Sequence, residues 1–134
     1  MEQQKFSFEG LEAHKKGRIL VKHVYALQRQ FPADERFALC EQVRRASVSI
    51  TSNLAEGSGR TSLKDKLHFI VIAYGSLMEL FSQLLTAQDL GYLDENQIDT
   101  IRPEFIELAR IMSGMRQSLQ LRIKKADITP APPQ

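Results

Sequence analysis

The chain reads QVRRASVSITSNLAEGSG from residue 42 to residue 59, and this stretch decides the fold. Its apolar and small residues recur at alternating spacings of four and three, which predicts a helix packed along one face in a left-handed bundle. The positions on this seam are Leu39, Val43, Ala46, Ile50, Asn53 and Gly57. Because Asn53 takes a place where the pattern requires leucine, we expect its amide to lie in the core, where a missing hydrogen bond costs about 1–3 kcal/mol.

Charged side chains flank this helix and suggest a buried polar network. Its expected members are Arg44, Arg45, Asn53 and Glu56. The alternative for Asn53 with Glu56 is a catalytic pair. Since adjacent helix positions point in different directions, we expect one of the two arginines to pair with a carboxylate or to stack at a subunit contact.

Proline and glycine divide the rest of the chain into further helical segments. Helices are predicted over residues 11–30, 32–56, 62–91 and 94–126. Ser62 with Asp65 resembles a capping box, Asp94 can cap the fourth helix, and Pro103 should kink or restart that helix. No segment alternates like a strand. The predicted fold class is therefore all-α, an antiparallel up-down-up-down four-helix bundle.

The same pattern predicts the domain organisation. Residues 1–7 are expected to be a flexible N-terminus and residues 8–126 the bundle domain. Residues 127–134 contain three prolines and are expected to form a disordered tail.

The third helix is apolar around most of its circumference, whereas a single bundle buries roughly half of a helix. The remaining surface predicts a homo-oligomer, and a heterologous contact repeated around a ring would cover it. The interface candidates are Phe69, Val71, Ile72, Met78 and Leu85.

The composition is that of one ordinary domain, with 134 residues, 43% apolar and 25% charged. Cys40 is the single cysteine, which excludes an intrachain disulfide and fits a reducing cytoplasm. The apolar stretch from Leu67 to Leu85 is interrupted by polar residues, and the first residues lack the apolar core of a signal peptide. We therefore expect a cytoplasmic protein without a membrane partner.

The charges separate toward the two ends of the predicted bundle. One end collects eleven Lys and Arg residues against six carboxylates, a net charge of +5, and the other holds five against nine, a net charge of −4. A basic end can attract phosphate backbones, although an ordinary balanced surface is the alternative. The nucleic-acid-binding candidates are Lys15, Lys16, Arg18, Arg60, Lys64, Lys66, Arg116, Arg122, Lys124 and Lys125.

Catalytic and metal-binding patterns do not emerge from the sequence. There is no Glu-x-x-His pair for a di-iron bundle, and His14, His23 and His68 have no partner histidine at helical spacing. Cys40 has no histidine nearby in sequence that would activate it. We therefore expect a protein that is not an enzyme and needs no cofactor.

Several motifs together resemble a known family. They are Leu11 to Gly17, Phe31-Pro32, Glu35-Arg36, Gln42 to Ala46, Ser49-Ile50, Asn53 to Gly57, Gly59-Arg60, Ala73 to Leu80 and Gln83-Leu84. Over residues 8–120 the chain resembles the bacterial four-helix-bundle family named for proteins encoded in intervening sequences of 23S rRNA genes. The accessory variability protein of diversity-generating retroelements is a relative. One departure is His14, where the family usually carries tryptophan.

The resemblance implies a small homo-oligomer, with a pentamer favoured. It also implies nucleic-acid partners, RNA or DNA, and a reverse transcriptase or other protein partner, because the retroelement relatives bind both. Joined to the charge separation, it leads to the hypothesis of a non-enzymatic nucleic-acid or ribonucleoprotein accessory protein. The alternative is a protein-interaction scaffold with no nucleic-acid role.

Overall fold

The computed structural model describes residues 3–128. All regular elements within these residues are helices, and none is a strand. The elements are α1 (Glu12–Gln28), α2 (Leu39–Ser58), α3 (Leu63–Asp89) and α4 (Glu95–Ile128), with 3-10 helices at Ser7–Gly10 and Ala33–Glu35. Contacts join α1 to α2, α2 to α3, α3 to α4 and α4 to α1, with none between the diagonal helices of this part of the chain. The four helices therefore surround one core, and the four-helix prediction is confirmed.

The second helix begins later than predicted. Pro32 has extended dihedral angles and starts the 3-10 helix Ala33–Glu35 rather than an α-helix. Ala38 then adopts φ −121° and ψ −101°, far from helical values, so that α2 begins at Leu39. The segment between the two helices leaves Phe37 83% exposed.

Both ends of α3 are capped by hydrogen bonds within a few residues of the helix. Ser62 accepts a hydrogen bond from the backbone N–H of Asp65 at 3.0 Å, which confirms Ser62 as the cap. At the other end Gly91 has φ +83°, and the N–H groups of Gly91 and Tyr92 donate to the carbonyls of Gln88 and Ala87. These two bonds form a Schellman motif, which satisfies the last carbonyls of the helix.

The fourth helix runs through Pro103 without restarting. Pro103 is exposed and lies at the outer side of α4, so the carbonyl of Asp99 that lacks an N–H partner can bond to water. Asp94 and Gln97 cap the start with two reciprocal bonds of 2.8 and 3.0 Å, which confirms Asp94 as the cap. Asp127 and Ile128, assigned to the tail, continue α4, whereas residues 129–134 of that segment lie outside the described residues.

The core position predicted for Asn53 belongs to Leu54. The side chain of Leu54 is fully buried, together with Val43 and Ile50 of the same helix, whereas Asn53 is half-buried. The prediction of a core amide is therefore wrong. The reason is that the buried stripe is Cys40, Val43, Ser47, Ile50, Leu54 and Gly57, which keeps an alternation of three and four but is displaced by one residue at every second position.

The third helix buries one side in the core and has a further apolar surface. One eighteen-residue window has a mean hydropathy of 1.5, so length and composition alone would let α3 cross a membrane. About a third of that window is buried within the bundle, mainly against α2 and α4. Val71, Met78 and Ile72 stay 49%, 43% and 37% exposed.

Candidate nucleic-acid interface

The ten cationic candidates do not form one surface, and Lys16 is already paired. Its Nζ lies 2.8 Å from Oε1 of Glu107 on α4. This hydrogen bond, with the charge of Glu107, raises the pKa of Lys16 above its ordinary value. Lys16 therefore joins α1 to α4, and a phosphate group would have to compete with Glu107 for its ammonium group.

Two arginines of the set lie over aromatic rings. Arg60 pairs with Glu56 one turn earlier at 2.5 Å and lies 4.8 Å from the centre of the Phe69 ring. Arg116 lies 5.4 Å from the centre of the Tyr74 ring, across the contact between α4 and α3. Their guanidinium planes are held at the protein surface by these contacts.

A basic stripe on α1 consists of Lys15, Arg18 and Lys22, which line a shallow cleft with Ile19. All three are exposed, and no ion pair engages them within residues 3–128. Spacings of three and four place them on one side of the helix, over a length of about 10 Å. Lys22 was not predicted, although its spacing from Lys15 and Arg18 was the signal that could have identified it.

The other cations gather where α3 begins and α4 ends. They are Lys64, Lys66, Arg122, Lys124 and Lys125. Lys66 Nζ donates to the carbonyl of Ser58, the last residue of α2, at 3.2 Å. Lys66 and Arg122 line an opening between the helices, whereas Lys64 and Lys124 are exposed outside it.

The predicted polar network of Arg44, Arg45, Asn53 and Glu56 is not one network. Arg44 faces α1 and donates a hydrogen bond to Oε1 of Gln28 at 3.0 Å. It also donates to the carbonyl of Arg36, in the connection between α1 and α2, at 3.4 Å. Asn53 Nδ2 instead donates within its own helix, to the carbonyl and hydroxyl oxygens of Ser49 at 2.8 and 3.0 Å. The two side chains bond on opposite sides of α2.

The other two members are also separate. Arg45 is exposed and has no hydrogen bond in the described part of the chain, and Glu56 bonds to Arg60 rather than to Asn53. Helix geometry separates Arg44 from Asn53, because positions nine residues apart lie on opposite sides of α2, whereas Glu56 is engaged by its ion pair with Arg60. This arrangement offers no pairing of Asn53 with Glu56 for catalysis.

A small polar contact between α2 and α3 was missed by the sequence analysis. The hydroxyls of Ser49 and Ser76 lie 2.8 Å apart, and Ser76 is only 8% exposed. With Arg45 and Glu79 they line a groove of about 250 Å³. Ser49 and Ser76 carried no specific signal in the sequence, because Ser49 lies beside the predicted seam of its helix rather than on it.

The five oligomer candidates fall on two sides of α3. Phe69 lies toward α2, because a Cβ built at Gly57 of α2 would be 2.9 Å from the Cβ of Phe69. Ile72, three positions after Phe69, lies on the same side of α3. Toward α4, Val71, Met78 and Leu85 adjoin Tyr74 and Phe81, whose contacts are with α4. We name the second group, with Tyr74, Phe81 and the 51% exposed Ile106, the α3–α4 face.

His14 is buried beside the first 3-10 helix. It is 8% exposed, its ring lies edge-on to Phe8 at 4.8 Å between centres, and its Nδ1 has no hydrogen-bond partner within residues 3–128. Burial lowers the pKa of His14, the charge of Arg18 lowers it further, and Glu9 opposes both. The imidazole therefore packs as a neutral ring.

Metal-binding geometry is absent from the described residues, in which no group of three or more His, Cys, Asp or Glu side chains converges. Cys40 is buried, and its thiol is directed to the carbonyl of Gln28 at 3.8 Å. His23 Nδ1 lies 2.8 Å from both carboxylate oxygens of Glu104, which joins α1 to α4.

Comparisons with known proteins agree on the family and the fold. Residues 9–114 match the family model described as 23S rRNA-intervening sequence protein. A crystal structure from Bacteroides thetaiotaomicron VPI-5482, described as a protein with unknown function from the S23 ribosomal protein family, is similar with a TM-score of 0.71 and 18% identity. The similarity covers 78% of this chain and 97% of that one. No curated protein matches the chain significantly.

Proposed function

Since this chain belongs to the 23S rRNA-intervening sequence protein family, we propose that it is a cytoplasmic, non-enzymatic accessory protein that binds RNA or DNA as a homo-oligomer. The observation that carries the proposal is the basic stripe of Lys15, Arg18 and Lys22. Three cations without carboxylate partners cover a length close to three steps of a nucleic-acid strand, at about 3.4 Å per step. Such a surface binds phosphates without reading bases.

The order of helix contacts supports a second basic region at one end of the molecule. Gln28 meets Arg44, and a Cβ at Gly17 would lie 3.0 Å from Thr51, so α1 and α2 run in opposite directions. Ser49 meets Ser76 and Gly57 meets Phe69, which supports the same opposite directions for α2 and α3. Phe81 meets Phe105 and Tyr74 meets Arg116, which supports them for α3 and α4. An antiparallel up-down-up-down bundle brings the start of α3 and the end of α4 together, where five of the cations gather.

Assembly would increase this basic surface. The α3–α4 face and the α2 side of α3 are two different apolar patches, which suits a heterologous contact that closes into a ring. In a pentamer, the arrangement we favour, five copies of the basic stripe would act on one nucleic acid. A reverse transcriptase or another nucleic-acid enzyme is the kind of protein partner that such an accessory ring would serve.

Salt dependence tests the proposal. The full-length protein would be titrated into labelled structured RNA and duplex DNA, and the observed affinity plotted against salt concentration from about 50 to 200 mM. For the triple variant Lys15→Gln, Arg18→Gln, Lys22→Gln we expect weaker binding. The slope on logarithmic axes should fall by about 0.9 for each duplex phosphate that the variant no longer neutralises.

A matched control removes three charges elsewhere. Arg29→Gln, Arg36→Gln, Arg110→Gln changes the net charge equally but leaves the α1 stripe intact, so its slope should stay close to that of the unmodified protein. Binding that is absent at the lowest salt, or equal weakening in both triple variants, contradicts the proposal.

A protein-interaction scaffold without a nucleic-acid role is the second candidate, and the α3–α4 face favours it. Val71, Met78 and Ile106 are each more than 40% exposed on neighbouring helices. The same titration separates the candidates, because a scaffold would assemble normally and bind neither nucleic acid.

A further inference from the structure

An opening of about 460 Å³ leads between the helices at the end of the bundle that carries Lys66 and Arg122. Its inner wall is apolar and includes Leu54 of α2, Met115 and Leu119 of α4. Leu54 is fully buried and Leu119 is 8% exposed, so the wall continues into the hydrophobic core. Sites for small molecules typically measure about 300–1,000 Å³ and are lined mostly by apolar side chains.

The rim of the opening is cationic. Among the described residues that line it are Lys66 and Arg122, with the hydroxyls of Ser58 and Ser118, and no carboxylate. Lys66 uses one of its three N–H donors on the carbonyl of Ser58, and no bond engages the guanidinium of Arg122 within residues 3–128. The rim therefore has several directed donors available beside an apolar wall.

We propose that this opening binds a small amphiphilic carboxylate, a molecule with one anionic head and an unbranched apolar body. The head lies between Lys66 and Arg122, where charge-assisted hydrogen bonds are the strongest available. The body lies along Met115 and Leu119, where it removes apolar surface from water. The inference does not depend on nucleic-acid binding, since it uses an interior site.

The two kinds of lining select this class of ligand over simpler ones. An inorganic anion or a nucleic-acid phosphate would satisfy the cations but leave the apolar wall in contact with water. A neutral hydrocarbon would cover the wall but make no use of the rim. A ligand with both parts is the one for which the two contributions add.

Methionine methyl resonances provide a direct test in the full-length protein. With isotope-labelled methionine methyl groups, sodium decanoate would be titrated while Met115, which lines the opening, is compared with Met78 on the α3–α4 face. We expect a saturable shift of Met115 and no shift of Met78. Decanol, with the same body and no charge, should bind about ten-fold more weakly or less.

Matched variants separate the rim from general charge. Lys66→Met and Arg122→Gln should each weaken decanoate binding by about ten-fold. Lys64→Met and Lys124→Gln remove exposed cations of the same region and should change it by less than about two-fold.

Three results would overturn the proposal. Met115 could stay unshifted. Decanol could bind as tightly as decanoate. The control variants could weaken binding as much as the rim variants. None of these results bears on the salt titration of nucleic acid, so the two proposals fail independently.

Discussion

Single side chains in this protein have roles that depend on the elements around them. His14 lies against Phe8 as a buried ring. Arg60 lies over Phe69 while pairing with Glu56, so one guanidinium covers an aromatic ring and satisfies a carboxylate. The imidazole of His14 and the guanidinium of Arg60 thus each lie against a phenylalanine ring.

The protonation of His14 should make stability fall in mild acid. Because burial holds its pKa below 6.5 in the folded state, the unfolded chain takes up the proton first as the pH falls. The free energy of unfolding should therefore decrease from about pH 6.5 down to the lower folded-state pKa, and this contribution should be constant above that window. Urea unfolding at several pH values measures it.

The variant His14→Phe removes the titrating group and keeps a ring beside Phe8. It should lose most of the pH dependence in this window, while His68→Gln, which removes an exposed imidazole, should retain it. An unchanged slope in His14→Phe would assign the acid sensitivity to other groups.

At the scale of elements, the contact between α2 and α3 is the most extensive in the described part of the bundle. Ser49 and Ser76 bond in the middle of it, and Gly57 meets Phe69 at its end. Small residues on α2 allow this approach, whereas α1 and α4 are joined partly through longer side chains such as Lys16 and Glu107.

Substitution of Gly57 should show how close the helices are. A Cβ at this position would lie 2.9 Å from Phe69 Cβ, so Gly57→Ala forces one helix to move and should lower the free energy of unfolding by about 1–3 kcal/mol. Gly114→Ala is the control, because a Cβ there meets nothing within 4 Å and should stabilise α4 by about 0.5–1 kcal/mol. Urea midpoints of equal value for the two variants would disprove the close contact.

For the whole molecule, the apolar surface of α3 is larger than one bundle covers. The α3–α4 face exposes Val71, Met78 and Ile106, and Arg102 and Arg116 lie over its two rings, Phe81 and Tyr74. Exposed aliphatic side chains beside arginine-covered rings are typical of the centre and rim of a protein interface. The face is thus the part of the molecule best suited to a second copy.

Light scattering tests this assembly at micromolar concentration. We expect a mass several times the 15.3 kDa of one chain, and a smaller species for the double variant Val71→Glu, Met78→Glu, because charges in an apolar interface lose their hydration. Phe37→Glu, which replaces an 83% exposed ring between α1 and α2, should keep the mass of the unmodified protein. A monomer in the unmodified protein would contradict the proposed ring.

The sequence by itself determined the helices and several of their ends. Apolar periodicity predicted the four segments, and Ser62 and Asp94 marked the starts of α3 and α4 because capping depends on residues only three positions apart. Such local chemistry can be read from one chain. The apolar pattern also predicted the excess apolar surface of α3, because the period of a helix fixes the direction of each residue around the helix axis.

Only the tertiary structure decided which cations lie close together and which residue of α2 is buried near its end. Leu54 replaced Asn53 in the core because one step around α2 depends on where its neighbours lie. Lys16 was paired with Glu107, 91 positions along the chain, while Lys66 and Arg122 line one opening between α2, α3 and α4. These pairings depend on distances between helices, and a periodic pattern contains no information about the neighbour that a side chain will meet.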